Sequence, residues 1–553
     1  MAAPRETGTG TGQLVAGGSS SLERVAAGLT GLGTLALLAG LATLAGLLPV
    51  DAAVAGVAVY RLLGAGLAAA GAGLLAVGGL SWADYLETRP DETAGLPVGL
   101  GYAVVGLVGG GLVGAQGLGL SLLWPVVALA GAGALGAAAV VPREDVGATL
   151  PAGALSLAAG LVVLAGVVDP AWRWDPEAFS ITMHGGPTVG LLAAVTGLLV
   201  AWTAARAYGG FGPRGKQAGA YLLVSANAAG MLLLLAVVVA FIVLKGLAPL
   251  TEGVRIGYFT SPAVWFYVPP IGEYVIVSAP GLWFYWPFVM NAGGLTVDVV
   301  GVMPAILGTV WLVAGAVAFA VPLGVGAAVF LTEYAERGRF TRLVELSTNG
   351  LWSTPSIVYG LFGLAFLVPR LGNTTSILAG QLVLGFMLLP LVVITSRESL
   401  KSVPDEYRDA SAALGVGRWE TVRSVVLPAA MPGVVTGVIL GVGRIAGETA
   451  PLLLVTSSGA NVIPREGPNV LRSFQFQFAV DGAFPFVHAG LSNPALLRSS
   501  SALPYQLYAV ITAGVGENME FAWGTALVLL LVVLSFYAVG IASRSYFRRR
   551  LQA

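Results

Sequence analysis

About twelve stretches of some twenty largely apolar residues run through this 553-residue chain, and they constrain its fold more than any other feature. A helix needs about 20 such residues to cross the hydrocarbon core of a bilayer. Six stretches fall in the first 210 residues, at 25–48, 52–80, 96–120, 122–141, 148–168 and 188–207. Six more follow at 218–244, 304–334, 343–369, 377–396, 432–457 and 521–543. None shows the two-residue alternation of a barrel strand, so the spans are read as helices. Charged residues make up 10% of the chain, against about 25% in soluble domains. A soluble fold cannot hide this much apolar surface, because even a ~300-residue globule buries only about 75% of what its unfolded chain exposes. The expected fold class is all-α and polytopic, with about twelve transmembrane helices in a lipid bilayer.

Charge and composition remove several function classes. Lys+Arg and Asp+Glu each number 28, so net charge is zero, which argues against nucleic acid as a partner. Cysteine is absent, which removes disulfides, thiolate metal sites and a cysteine nucleophile. The two histidines, His184 and His488, are too few for a His-rich metal site and give a Ser-His-Asp triad poor support. No cofactor is expected. No G-x-x-x-x-G-K-[ST] phosphate loop occurs; Lys401 precedes a serine, but no glycine-rich run precedes Lys401. The glycine-rich run 106–111 lies in an apolar stretch and reads as a close-packing surface.

Residues 1–24 are rich in Gly, Thr and Ser, with Arg5 balanced by Glu6 and Arg24 by Glu23. They read as a disordered cytoplasmic tail rather than a signal peptide, because the first apolar run is too long for an h-region. With twelve spans and the N-terminus inside, nineteen of the 28 basic residues fall on the inner side and eight on the outer, Arg444 remaining within a span. The positive-inside bias then places both termini in the cytoplasm. Three outer segments are long. The first, 169–187, carries Trp172 and Trp174; the second, 246–303, has aromatic clusters at 265–267 and 283–286; the third, 458–520, is polar with several Phe. Such clusters read as headgroup-level belts, with a docking surface for an external partner as the alternative.

One inner segment, between the stretches ending at 396 and beginning at 432, is charged and helical in pattern. Ser402 is placed to cap a helix whose first turn holds Pro404, Asp405 and Glu406. Gly415 is placed to stop it. A second short helix over 418–426 is expected to end at Leu427-Pro428. Ala410, Ala413 and Leu414 recur at helical spacing, and such a face lies against a partner or on the membrane surface.

This segment resembles the EAA loop of ABC-transporter importer permeases. That motif runs E-A-A, three residues, Gly, nine residues, then I-x-L-P. Here Asp409-Ala410-Ser411 is followed by Gly415 and by Val425-Val426-Leu427-Pro428, with the spacing kept and conservative replacements. Further stretches are similar to phosphate permeases: Val321-Pro322-Leu323-Gly324-Val325 with Leu331-Thr332-Glu333-Tyr334-Ala335, then Thr354-Pro355-Ser356-Ile357-Val358-Tyr359-Gly360, then Gly443-Arg444-Ile445-Ala446-Gly447-Glu448-Thr449-Ala450-Pro451. The G-E-T-A-P-L-L ending and Leu503-Pro504-Tyr505-Gln506-Leu507-Tyr508 in the last outer loop are closest to the PstA type. The resemblance covers about 218–550. It implies a C-terminal permease domain, 211–553, with a six-helix MetI-like core, and leaves 25–210 as an extra domain of about six helices without assigned function. It also implies the transmembrane subunit of an ATP-driven importer for inorganic phosphate. The implied partners are an ATP-binding subunit (PstB-like) docked on the EAA loop, a second permease (PstC-like) and an external phosphate-binding protein (PstS-like). An importer for molybdate, tungstate or sulfate is the first alternative. An ion-coupled secondary transporter is the second, but it has no use for an EAA loop.

Arg444 and Glu448 are the strong charges within 432–457. Arg444 is twelve residues past Pro432, about 18 Å along a helix, and Glu448 is one turn further on the same face. Burying Arg in lipid costs ~2.5 kcal/mol or more, so both are expected to face protein or a water-filled path. One reading is an ion pair that holds helices together. The other is an anion route, where the planar guanidinium suits a tetrahedral oxyanion. In the family the matching Arg is counted among residues important for transport, which puts Arg444, Glu448 and Thr449 on the expected substrate path.

Overall fold

A computed structural model describes residues 21–175, 182–259, 264–268, 273–277, 281–291, 301–336, 338–456, 468–480, 487–512 and 519–552. Ten helices in it are long and apolar enough to cross a membrane. The chain divides into two compact units, Met1–Leu235 and Ala236–Ala553.

The first unit holds α1 (Ser21–Leu44), α2 (Val59–Trp82), α3 (Leu96–Leu112, continued by a π-turn over Val113–Gly117), α4 (Trp124–Val140), α5 (Glu144–Leu164) and α6 (Gly185–Tyr208). The first helix begins at Ser21, so four residues of the expected tail are helical; the rest of that tail lies outside the described residues. At 17 residues α4 is shorter than a full span. The helices pack as nested antiparallel pairs, α1 on α6, α2 on α5 and α3 on α4. Glycines two helical turns apart make each seam: Gly33 and Gly40 face Gly197 and Gly190, Gly64 and Gly71 face Gly160 and Gly153, and Gly106 faces Gly131. A Cβ on Gly33 would stand 2.6 Å from the Ala201 backbone nitrogen, and one on Gly110 the same distance from the Val127 carbonyl oxygen. In the run 106–111, Gly106, Gly110 and Gly111 thus pack on α4. Without a hydrophobic driving force between helices in lipid, such close backbone approach supplies the attraction.

One end of this unit is fastened by buried charge that composition did not reveal. Glu144, at the start of α5, pairs with Arg206 in the last turn of α6, and both are buried. The Glu144 carboxylate also accepts from the Asp91 and Gly212 backbone amides, each at 2.8 Å. Beside it Asp145 accepts from the Ser81 hydroxyl at 2.7 Å and pairs with Arg143.

A 40-residue helix, α7 (Gly212–Thr251), contributes to both units. The second unit continues with α8 (Pro287–Met290), α9 (Met303–Val329, continued by a π-turn over Phe330–Tyr334), α10 (Arg339–Ser353), α11 (Ser356–Phe362), α12 (Val368–Arg370) and α13 (Ile377–Lys401). Then come α14 (Asp405–Ala413), α15 (Arg418–Thr421), α16 (Leu427–Ala446), α17 (Ala450–Val455), α18 (Leu503–Thr512) and α19 (Met519–Gln552). The core sits where α9, α13, α16, α17 and α18 meet, with Leu312, Val383, Leu388, Ile445, Leu452 and Tyr505 buried together.

Four sequence expectations change. The stretch 343–369 is not a straight span: α10 and the helical run to Arg370 bend by 102° at Thr354-Pro355. Thr354 takes extended angles, φ −68° and ψ 132°, because the following proline disfavours the helical region. The stretch 432–457 is broken between α16 and α17. The segment 503–508 is no loop: it folds as α18, with Leu503, Tyr505 and Gln506 buried and the Leu503 amide donating to the Thr309 hydroxyl at 2.9 Å. All three long outer segments also contain antiparallel β ladders, Arg173–Trp174 pairing with Met183–His184 in the first. Arg255–Phe259 pairs with Gly281–Tyr285, Val264–Val268 with Glu273–Val277, and Gln475–Val480 with Val487–Ser492.

Candidate functional site

The charged inner segment folds as the sequence pattern requires, with one difference at each end. Acidic Asp405 and Glu406 occupy the first turn of α14, where the helix dipole favours them. Ser402 does not cap it. Its hydroxyl donates to the Ser399 carbonyl at 2.7 Å, and Ser402 closes α13 instead. Gly415 has φ +74° and open space around the missing Cβ, so its role is backbone conformation alone. The helix after it does not end at Leu427-Pro428. A π-turn over Val422–Val426 leads into α16, and Arg418–Ala446 is one helical run of 29 residues. Pro428 sits in the first turn of α16, where its missing N–H is harmless.

One face of the α14 segment is anchored. Val422 and Val426 are buried with Leu400, Val403 and Val434. Ser411 is buried and donates to the Tyr407 carbonyl at 3.0 Å. Val425, Leu427 and Pro428 are half-buried. The opposite face is free. Asp409, Ala410 and Gly415 are exposed, and beside them Leu414 is 81%, Trp419 61% and Tyr407 53% exposed. Large apolar groups are thus held outward on and just beyond a polar helix.

Arg408 bolts this helix to the core, and sequence reasoning did not single it out. Its guanidinium donates to Glu333 at 2.8 Å, to the Val403 carbonyl at 2.8 Å and to the Leu400 carbonyl at 3.1 Å. Asp405 closes the arrangement at 3.2 Å. The Glu333 carboxylate holds the Arg408 guanidinium above its ordinary pKa, so this charge does not titrate in any working range. The separation of 75 positions between the two partners hid the bolt in the sequence.

The structure places Arg444 at the end of a helix and Glu448 in the break that follows it. Arg444 is in the last turn of α16, and Gly447 ends that helix with φ −96° and ψ 0°. Pro451, four residues past Gly447, supplies the reason: its ring clashes with the carbonyl at i−4. Glu448 and Thr449 form the link to α17, and Thr449 makes no side-chain cap. The pair is loose, with Arg444 Nε 3.9 Å from Glu448 Oε1, and Arg444 is 38% exposed against 19% for Glu448. The Arg444 guanidinium instead lies over the Trp352 ring, 4.3 Å from its centroid. Trp352 stands at the other helix break, between α10 and α11. The two broken helices meet where Gly360 packs on Pro451, a Cβ there standing 2.7 Å from the Pro451 Cα. The two breaks thus lie side by side, with a partly exposed guanidinium between them.

Residues 320–553 match the family of binding-protein-dependent transport system inner membrane components. The phosphate transport system permease protein PstA 1 of Mycobacterium tuberculosis (strain CDC 1551 / Oshkosh) is 32% identical over 277 residues, 47% of this chain and 81% of the relative. PstA of Mycobacterium leprae (strain TN) is 34% identical over 255 residues, 45% of this chain and 72% of the relative. The probable ABC transporter permease protein YqgI of Bacillus subtilis (strain 168) is 44% identical over 133 residues, 24% and 45% of the two chains. Among solved structures, the inward-facing MetNI methionine ABC transporter matches 44% of this chain and 94% of its own, at 17% identity and a TM-score of 0.33.

Proposed function

The chain belongs to the PstA family of binding-protein-dependent transport permeases, and from that premise we propose that it is the phosphate-conducting membrane subunit of an importer driven by a separate ATPase. The observation that carries this reading is the α14 segment. It combines the spacing of a coupling loop, a left-handed glycine at Gly415 and an outward apolar face of Tyr407, Leu414 and Trp419. The face is where a PstB-like ATP-binding subunit docks. Arg408 and Glu333 transmit its movement to α9 and α13. A PstC-like permease completes the membrane dimer, and a PstS-like protein delivers the anion from outside. The positive-inside bias puts α14 and both termini in the cytoplasm.

Arg444 lines the route of the anion, at the junction of the two helix breaks. Its donor fork suits a phosphate oxygen pair, and Trp352 holds the guanidinium in place without neutralising it. Residues 1–210 are an added helical domain outside the transport step. The test is uptake of labelled phosphate by cells expressing the chain with its partners, in competition with molybdate, tungstate and sulfate. Selective loss of uptake with excess unlabelled phosphate supports the reading. Competition by another oxyanion alone moves the assignment to that anion.

A further inference from the structure

Beside the coupling segment lies a cavity of about 860 Å³, separate from the Arg444 junction. It is lined by six cationic side chains against three carboxylates. Two arginines consume all three carboxylates: Arg397 pairs with Glu345, and Arg408 with Glu333 and Asp405. Lys401 pairs with Glu398 on the surface. Arg339 and Arg342 of α10 and Arg418 of α15 have no carboxylate within ion-pair distance among the described residues. Arg418 rests over the Tyr334 ring at 5.4 Å, which leaves its donor edge free. Two polar atoms of the lining, Arg397 Nε and Thr332 Oγ1, are buried without a hydrogen-bond partner. A buried donor left unpaired is costly, so a site that strands two and concentrates unpaired cations is built for an anion.

We propose that this cavity binds a phosphate group. Guanidinium forks match the paired oxygens of a tetrahedral phosphate, and several around one cavity select it over a monovalent halide. The shared chemistry has two sources, inorganic phosphate in solution and the headgroup of an anionic lipid. The volume admits either one. The lipid source finds support in α10, whose Phe340, Leu343 and Leu346 are exposed beside the basic face, the arrangement of a helix lying in a membrane surface. A phosphate held between Arg342 and Arg418 joins α10 to the coupling segment. The inference does not depend on which anion is transported.

The full chain, purified in detergent, is dialysed against labelled inorganic phosphate, and copurifying phosphatidylglycerol is counted by native mass spectrometry. Three variants accompany it: Arg339→Gln with Arg342→Gln, Arg418→Gln, and Arg444→Ala. The exposed, unpaired arginines are removable without unfolding, and the single Arg418→Gln change serves if the double one proves unstable. The expected result is a saturable phosphate site, or a stoichiometric lipid, that persists in Arg444→Ala. Its affinity falls about tenfold or more in the cavity variants, the loss expected for a charge-assisted hydrogen bond. Phosphate binding identifies the free anion as occupant; lipid retention identifies the headgroup. Binding unaltered by the cavity changes, binding lost only in Arg444→Ala, or no binding of either species overturns the proposal.

Discussion

At the scale of single residues, Arg444 decides between a path and a brace. A brace needs a short, enclosed ion pair, but Arg444 and Glu448 stand 3.9 Å apart with the guanidinium 38% exposed. Arg444→Ala is therefore expected to leave the protein folded and inserted while uptake falls to background, because Glu448 is not stranded in a dry interior. Arg444→Lys loses the planar fork and is expected to retain only a small fraction of uptake. Arg444→Met with Glu448→Leu separates the readings: uptake restored to near the wild-type level in a stable protein would mean the pair is only structural. Arg408 gives the opposite pattern. Glu333 is 8% exposed, and removing Arg408 leaves its carboxylate unpaired, at about 1–3 kcal/mol. Arg408→Ala is expected to lower the thermal midpoint and weaken copurification with the ATPase. Arg444 was legible because a lone arginine in an apolar run demands an explanation. Arg408 was not, because its partner Glu333 comes from a different helix.

Elements are where sequence reading was strongest and where it failed most specifically. The bilayer imposes length and apolarity on every span, so each expected stretch contains a helix. Breaks were illegible because proline alone does not predict them. Pro322 and Pro390 sit inside continuous helices, while Pro355 and Pro451 stand at the starts of α11 and α17, just past a break. The hairpins were missed because five-residue aromatic runs beside spans read equally well as interfacial belts. Two element-level predictions follow from the glycines. Gly415→Asn is expected to be tolerated and Gly415→Val to uncouple ATP hydrolysis from uptake, since a β-branched residue at φ +74° is strained by about 1–2 kcal/mol or more. In the first unit, Gly33→Val meets the Ala201 backbone and is expected to cost about 1–3 kcal/mol by overpacking. Gly66→Val, with nothing within 4 Å, is the control. Thermal unfolding in detergent measures the difference.

At the scale of the whole molecule, the chain is a multi-pass membrane protein whose family match, 320–553, falls within the second unit. The basic cavity and the coupling bolt emerge only when segments tens of residues apart fold together, which is why neither was visible in the linear pattern. A chain beginning at Phe211 keeps all of α7 and is expected to insert and transport phosphate without residues 1–210. Normal insertion and assembly with no uptake would make the first unit part of the path.

The most direct measurement of the central claim is ATP-driven accumulation of labelled phosphate in proteoliposomes. These would hold the full chain with its partner permease and ATPase, with the binding protein outside, comparing wild type with Gly415→Val. The account predicts accumulation that requires ATP and the binding protein. It also predicts that Gly415→Val abolishes accumulation while the variant stays inserted and folded. Undiminished accumulation by Gly415→Val, or accumulation that proceeds without ATP, would contradict it.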